Sequence, residues 1–153
     1  MSGAQDEFST ARPKVLRRED LDGFRISPDD TNYMIPLADA LRNADDGVNF
    51  TAIIEVFAVG GKTPPNTHHI AAELFYVLDG HARARANGEQ HDLGPGDSLL
   101  VPPGIEHVVE NAGSTKLYTL TVMSPNEGFA ELIHGGEPIE PGEDLEALGG
   151  GAT

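Results

Sequence analysis

The chain has 153 residues, a formal net charge of −15 and no cysteine. Its length fits one domain with a single core. The balance of 25 Asp and Glu against 10 Lys and Arg disfavours nucleic acid and anionic membranes as partners. Because cysteine is absent, disulfides and thiolate metal sites are excluded, and a metal would be held by imidazole, carboxylate, amide or water.

Apolar residues make up 39% of the chain and occur in short runs, while glycine and proline number 18 and 11. Short runs separated by many turn residues favour an all-β fold over a helical bundle. No run approaches the roughly 18 apolar residues that a membrane span requires, and the N-terminus has no signal core. We therefore expect a soluble, cytoplasmic protein that does not contact a membrane.

The N-terminal third lacks regular alternation. Residues 1–12 are small and polar, which predicts a flexible terminus. Residues 13–47 alternate apolar patches with turn residues, which predicts an extended arm packed on the main body. Such an arm can cover a sheet edge in its own subunit or in a neighbour, so a homodimer is the expected assembly.

A long strand is predicted over residues 48–59, where β-branched and aromatic residues dominate. Its alternation assigns Phe50 and Ile54 to the face that lines the interior of the fold. By the same alternation, Thr51 and Glu55 are expected to point away.

The strand predicted over residues 73–79 is apolar on both faces, as expected for burial on both sides in a double-layered barrel. Asn87-Gly88 is a strong hairpin signal between two further strands. The remaining strands are predicted over 81–87, 90–93, 98–101, 105–111 and 117–123.

One short C-terminal helix is predicted after the last strand. Ser124 and Glu127 match a capping box, Pro125 occupies the first helical position, and Gly135-Gly136 ends the helix. Residues 48–136 then form the barrel with its helix. Residues 137–153 are acidic and rich in glycine and proline; Leu145 and Leu148 allow docking, but the composition favours a solvated tail.

Two blocks rich in glycine and proline contain the chemistry-bearing residues. The first block reads Gly60, five residues, Asn66-Thr67-His68, four residues, Glu73, six residues and Gly80. The second reads Gly96, five residues, Pro102, one residue, Gly104, two residues, His107, three residues and Asn111. Imidazoles and a carboxylate brought together from separate strands are typical of a metal or acid–base site in a closed β-structure.

The two blocks resemble the paired signature motifs of the cupin superfamily, in the right order and separated by a hairpin. The resemblance implies a double-stranded β-helix, a jelly-roll barrel. Cupins that bind metal usually have His-x-His where this chain has Asn66-x-His68, so the first motif is modified.

Carried over residue by residue, the resemblance implies one divalent metal ion held by His68, Glu73 and His107, with Asn66 in the fourth position. His69 is an alternative to His68, because neighbours on an extended chain point in opposite directions. Two imidazoles and one carboxylate suit Fe(II) best and also accept Zn, Mn, Ni or Co.

The leading functional hypothesis is a mononuclear Fe(II) dioxygenase acting on a phenolic, enol or keto-acid small molecule. Glu73 and His107 are the candidate catalytic residues. The candidate substrate-binding residues are Asn66, Phe50, Ile54, Phe75 and Val109. Two alternatives stay open: a redox-neutral metal-dependent cyclase or isomerase, similar to the aromatic polyketide cupins, and a non-catalytic cupin that binds a small molecule.

Overall fold

The computed structural model of the chain describes residues 12–149, which form ten strands in two antiparallel sheets. The strands are β1 (Gly23–Arg25), β2 (Asn32–Asp39), β3 (Thr51–Phe57), β4 (Ala72–Asp79), β5 (Ala82–Ala86), β6 (Glu89–Leu93), β7 (Ser98–Val101), β8 (His107–Asn111), β9 (Leu117–Ser124) and β10 (Glu137–Ile139). The larger sheet has the order β10-β1-β2-β3-β9-β4-β7, and the smaller one has the order β6-β5-β8. The predicted all-β fold is confirmed.

Helical structure is limited in the described residues. Two short 3-10 helices cover Arg18–Asp20 and Ala44–Asp46. Two α-helices follow the last long strand: α1 (Phe129–His134) and α2 (Gly142–Gly149). The chain thus has one C-terminal helix more than the sequence predicts.

The main core lies between the two sheets. The small sheet contributes Ala84 of β5 and Val109 of β8, which pack with Phe57 and Phe75 of the large sheet. Each buried aromatic side chain of this kind stabilises the fold by about 1.5–3 kcal/mol. Ala82 and Ala84 of β5 are buried in this core, and Arg83 and Arg85 alternate with them on the more exposed side.

The predicted orientation of β3 is wrong. Thr51 and Glu55 are buried, with 0% and 2% of their surfaces exposed, whereas Ile54 is half-buried against the outer cluster that contains Tyr33 and Tyr118. Both faces of β3 are covered, so the alternation of apolar residues did not reveal which face points into the barrel.

The arm forms part of the large sheet of its own chain. β2 pairs with β3 from Asn32 opposite Phe57 to Asp39 opposite Thr51, and β1 pairs with β2 and with β10. Because these strands complete their own sheet, they give no reason to expect a homodimer. The homodimer stays a prediction.

The predicted capping box does not form. Helix α1 begins at Phe129, and Oδ1 of Asn126 accepts the backbone N–H of Ala130 at 2.8 Å. The carboxylate of Glu127 instead accepts backbone N–H groups of the loop before β4. The spacing of Ser124 and Glu127 matches a capping box, but Glu127 accepts its hydrogen bonds from a loop that is distant in sequence.

Residues 137–149 are folded, in contrast to the solvated tail that the composition predicts. β10 pairs with β1, and α2 packs Leu145 against the outer cluster. Asp144 of α2 accepts hydrogen bonds from Tyr118 at 2.7 Å, from Lys116 at 2.9 Å and from Tyr33. These polar contacts hold the acidic helix α2 against the sheet. The composition of the segment alone does not predict them.

The predicted flexible terminus 1–12 lies outside the described residues except for Arg12, as do residues 150–153 of the tail. Within the described residues, none of the helices has the length and apolar character needed to cross a bilayer.

Candidate metal centre

Three side chains from separate elements converge at one end of the barrel. His107 opens β8, Glu73 is the second residue of β4, and His68 lies in the loop before β4. Nε2 of His107 lies 2.8 Å from Oε1 of Glu73, and Nε2 of His68 lies 3.0 Å from the same oxygen. One potential ligand atom of each residue lies within 4.8 Å of the others, which is compact enough to surround one metal ion.

His107 is oriented by its backbone neighbour. Its Nδ1 lies 3.0 Å from the carbonyl oxygen of Ile105, an acceptor that fixes a proton on Nδ1 and directs Nε2 toward Glu73. Burial alone would lower the pKa of His107, but the hydrogen bonds to Glu73 and Ile105 outweigh burial and raise it. An imidazole ordered in this way is prepared to ligate a metal through Nε2.

Glu73 is a buried carboxyl group that stays ionised. Burial would raise the pKa of Glu73, but the hydrogen bonds from His107 and His68 outweigh it and lower the pKa below the usual value. Because a metal ligand must be deprotonated, this environment favours the form of Glu73 that binds a cation.

His68, and not His69, reaches this centre. The side chain of His68 is 19% exposed and contacts Glu73, and its ring centroid lies 5.3 Å from that of His107. His69 is exposed, and its backbone N–H is donated to Glu127 at 2.9 Å. Of the two neighbours, only His68 therefore contacts Glu73.

Asn66 lies beside His107 through the backbone. The two residues exchange both backbone hydrogen bonds, at 3.0 and 3.2 Å, so their side chains lie on the same face. Nδ2 of Asn66 donates to the carbonyl oxygen of Pro64 at 3.2 Å. Its Oδ1 is buried and has no hydrogen-bond partner among the described residues, which leaves an amide oxygen available to a metal or a ligand.

A cavity of about 230 Å³ opens beside these side chains. Its residues include the candidate ligands Asn66, His68 and Glu73, the apolar residues Met34, Phe75, Phe129 and Leu132, and the polar residues Asn32, Glu55 and Thr63. Of the four apolar residues predicted to bind substrate, Phe75 lines this cavity. Phe50, Ile54 and Val109 do not: Ile54 packs on the outer cluster and Val109 packs in the core between the sheets.

Glu55 is a functional candidate that the sequence analysis missed. Its Oε2 accepts the amide of Asn32 at 2.6 Å, and its Oε1 accepts the hydroxyl of Thr121 at 3.1 Å. Burial, followed by the charge of Glu73, raises the pKa of Glu55 to about 8. The sequence does contain a signal for it, because a glutamate inside a strand that is apolar on both faces indicates a buried carboxyl group.

The residues present fit a divalent metal. Two imidazoles and one ionised carboxylate form a donor set of the kind that holds Fe(II), and Asn66, whose amide oxygen is unpaired, lines the same cavity. The structure therefore brings together His68, Glu73 and His107, three of the residues that the motif resemblance implies, and Asn66 lines the cavity beside them.

Residues 53–123 match the family model of the cupin domain. This region of the chain, residues 53–123, belongs to the cupin superfamily. Among curated relatives, this cupin is 29% identical over 83 residues to an uncharacterized protein of Methanocaldococcus jannaschii, a match that covers 54% of this chain and 66% of the relative. It thus spans about two thirds of that relative's length.

Two solved structures resemble the fold of this cupin. KdgF from Halomonas sp. has a TM-score of 0.65 and 18% identity, covering 78% of this chain and 99% of the other. A predicted oxalate decarboxylase from Thermotoga maritima has a TM-score of 0.63 and 22% identity, covering 72% and 97%. At these identities the likeness is one of fold, and it confirms the predicted double-stranded β-helix.

Proposed function

We propose that this cupin is a metal-dependent enzyme, and that its reaction is that of a mononuclear Fe(II) dioxygenase on a phenolic, enol or keto-acid compound. One observation carries the proposal. His68, Glu73 and His107 offer two imidazoles and a carboxylate to one point beside a cavity, and this donor set with free positions is typical of non-haem Fe(II) oxygenases.

The metal would be held by His68, Glu73 and His107, with the amide oxygen of Asn66 as a fourth ligand. When bound, Fe(II) supplies a site at which O₂ and an oxygen-bearing substrate react side by side. Ionised Glu73 is already in the form that binds the cation, and the hydrogen bond of Nδ1 to Ile105 aims Nε2 of His107 at the site. Because the fold raises the pKa of His107, Nε2 would give up its proton when the cation binds.

The cavity supports a small substrate with a carbon skeleton. Phe75, Met34 and Phe129 contribute apolar surface, and a volume of about 230 Å³ suits a compact molecule. The oxygens of the substrate would face the metal ligands, while its apolar part packs against these side chains and excludes water.

Oxygen consumption tests this proposal. Protein loaded anaerobically with Fe(II) is mixed with catechol or with 2-oxobutyrate, and O₂ uptake is followed with an electrode. We expect uptake that depends on substrate and on iron, that is lost in His107→Ala, and that is retained in Glu89→Gln, an exposed hairpin residue. Bound zinc without O₂ uptake would favour the redox-neutral cyclase or isomerase. Ligand binding without turnover would favour a binding protein.

A further inference from the structure

A second carboxyl group of the cavity lies outside the proposed ligand set. Glu55 is 2% exposed and lines the cavity from β3. Both of its carboxyl oxygens are held: Asn32 donates to Oε2 at 2.6 Å, and Thr121 donates to Oε1 at 3.1 Å. Thr121 in turn lies 2.8 Å from the hydroxyl of Thr119. The carboxyl group is therefore fixed in one orientation.

Asn32 donates a hydrogen bond to Glu55 and is itself part of the cavity wall. The residue is 3% exposed and lines the same cavity. Its Nδ2 is occupied by Glu55, whereas its Oδ1 is buried and has no hydrogen-bond partner among the described residues. A buried unpaired acceptor is costly unless a ligand donor satisfies it, and the enol form of a keto acid carries such an O–H donor.

The surroundings of Glu55 disfavour the ionised form of its carboxyl group. The cavity is lined by no lysine or arginine among the described residues, and its acidic residues are Asp30, Glu55 and Glu73. Burial and the charge of Glu73 raise the pKa of Glu55, and the contacts of Asn32 and Thr121 and the charge of His107 offset only part of this rise. The pKa of Glu55 therefore lies well above that of an ordinary glutamate, which suits a group that takes up and releases a proton.

We propose that Glu55 is the acid–base residue of this cavity, and that Asn32 is its positioning residue. For an enolisable keto acid, the proton on the carbon next to the carbonyl moves to a carboxylate oxygen of Glu55. The C–H electron pair becomes the new C=C bond, and the carbonyl π pair moves onto oxygen as an enolate. The return of the proton reverses the step, which needs no oxidant. The choice of a keto acid rests on the proposed function.

Hydrogen exchange into 2-oxobutyrate tests the assignment. Zn(II)-loaded protein under argon is incubated with 2-oxobutyrate in D₂O, and deuterium at carbon 3 is followed by NMR. The wild type is expected to accelerate exchange over free Zn(II) and buffer. Glu55→Gln is expected to lose this acceleration by about a hundredfold or more. Glu89→Gln should match the wild type.

Further readouts separate catalysis from a structural role. Glu55→Asp should restore part of the exchange, and the wild-type rate should rise with pH and then level off, a profile that Glu55→Gln lacks. Metal content and thermal unfolding, measured on each variant, show that Glu55→Gln is folded and loaded. Exchange at the wild-type rate in folded Glu55→Gln, or no acceleration by metal-loaded wild type, would overturn the assignment. The proposed dioxygenase fails separately, by the absence of O₂ uptake.

Discussion

Nε2 of His107 lies 2.8 Å from Oε1 of Glu73, although the two residues are 34 positions apart in the chain. They belong to different sheets, His107 to the small one and Glu73 to the large one. Closure of the two sheets on a shared core therefore brings the two groups together, and His68 joins them from the loop before β4. The metal-binding geometry depends on the fold as a whole.

Asn66→His is expected to tighten metal binding. The imidazole would replace an amide oxygen at a position whose backbone is paired with His107, and nitrogen is a stronger donor than an amide for the later divalent metals. We expect the dissociation constant for Zn(II) to fall by about tenfold, measured by competition with a chelator. An unchanged or weaker affinity would place the side chain of residue 66 outside the metal's coordination sphere.

Glu127→Gln is expected to weaken metal binding without touching a ligand. The carboxylate of Glu127 accepts the backbone N–H groups of His69 at 2.9 Å and of Ala71 at 2.8 Å, and so orders the loop that follows His68. Those hydrogen bonds lower the pKa of Glu127, so it is ionised. Replacing one acceptor oxygen by a donor should raise the Zn(II) dissociation constant by about tenfold. Glu89→Gln is the control, and equal affinities would contradict the role.

Glu55 gives the metal-free protein a specific pH dependence. The pKa of Glu55 rises from 4.5 to about 8 on folding, so between these values the folded state holds a proton that the unfolded state has lost. The free energy of unfolding therefore falls as the pH rises through this window, and levels off above it. Glu73 and His107 titrate nearby, and a comparison with Glu55→Gln cancels most of their contribution.

Glu55→Gln should accordingly gain stability relative to the wild type as the pH rises from 5 to 9, on the order of 4 kcal/mol. Denaturant unfolding of the metal-free proteins at both pH values measures this difference. A difference between the two proteins that is the same at pH 5 and pH 9 would show that Glu55 is not neutral in the fold.

Asp144→Asn is expected to destabilise the fold by about 2–4 kcal/mol. Burial would raise the pKa of Asp144, but hydrogen bonds from Tyr33, Lys116 and Tyr118 lower it, so an ionised carboxylate holds α2 to the sheet. The amide cannot satisfy the same three donors. Urea unfolding measures the change, with the exposed neighbour Glu143→Gln as the control. Equal losses in both variants would argue against this contact.

Most strands could be predicted because turn chemistry bounds them. The strand at 98–101 coincides with β7, and Asn87 and Gly88 adopt the positive φ angles of 53° and 74° that a tight hairpin needs. The metal-ligand candidates came from a different source, because the resemblance of the two glycine- and proline-rich blocks to the cupin motifs implied them.

The remaining errors have a common physical origin in long-range contacts. The inward face of β3 depends on which partners cover each side, and Glu55 is buried because Asn32 and Thr121 satisfy it. Similarly, α2 is ordered by the tyrosines that reach Asp144. The composition of a segment does not indicate which distant residues pack against it or hydrogen-bond to it.

Metal stoichiometry after loading tests the central claim most directly. Wild type and His107→Ala are loaded anaerobically with Fe(II), passed through a desalting column and analysed for iron by mass spectrometry. His107 is buried and contacts Glu73, so we expect one iron per wild-type chain and almost none in the variant. Wild type that retains no iron, or His107→Ala that retains a full equivalent, would contradict a metal centre formed by His68, Glu73 and His107.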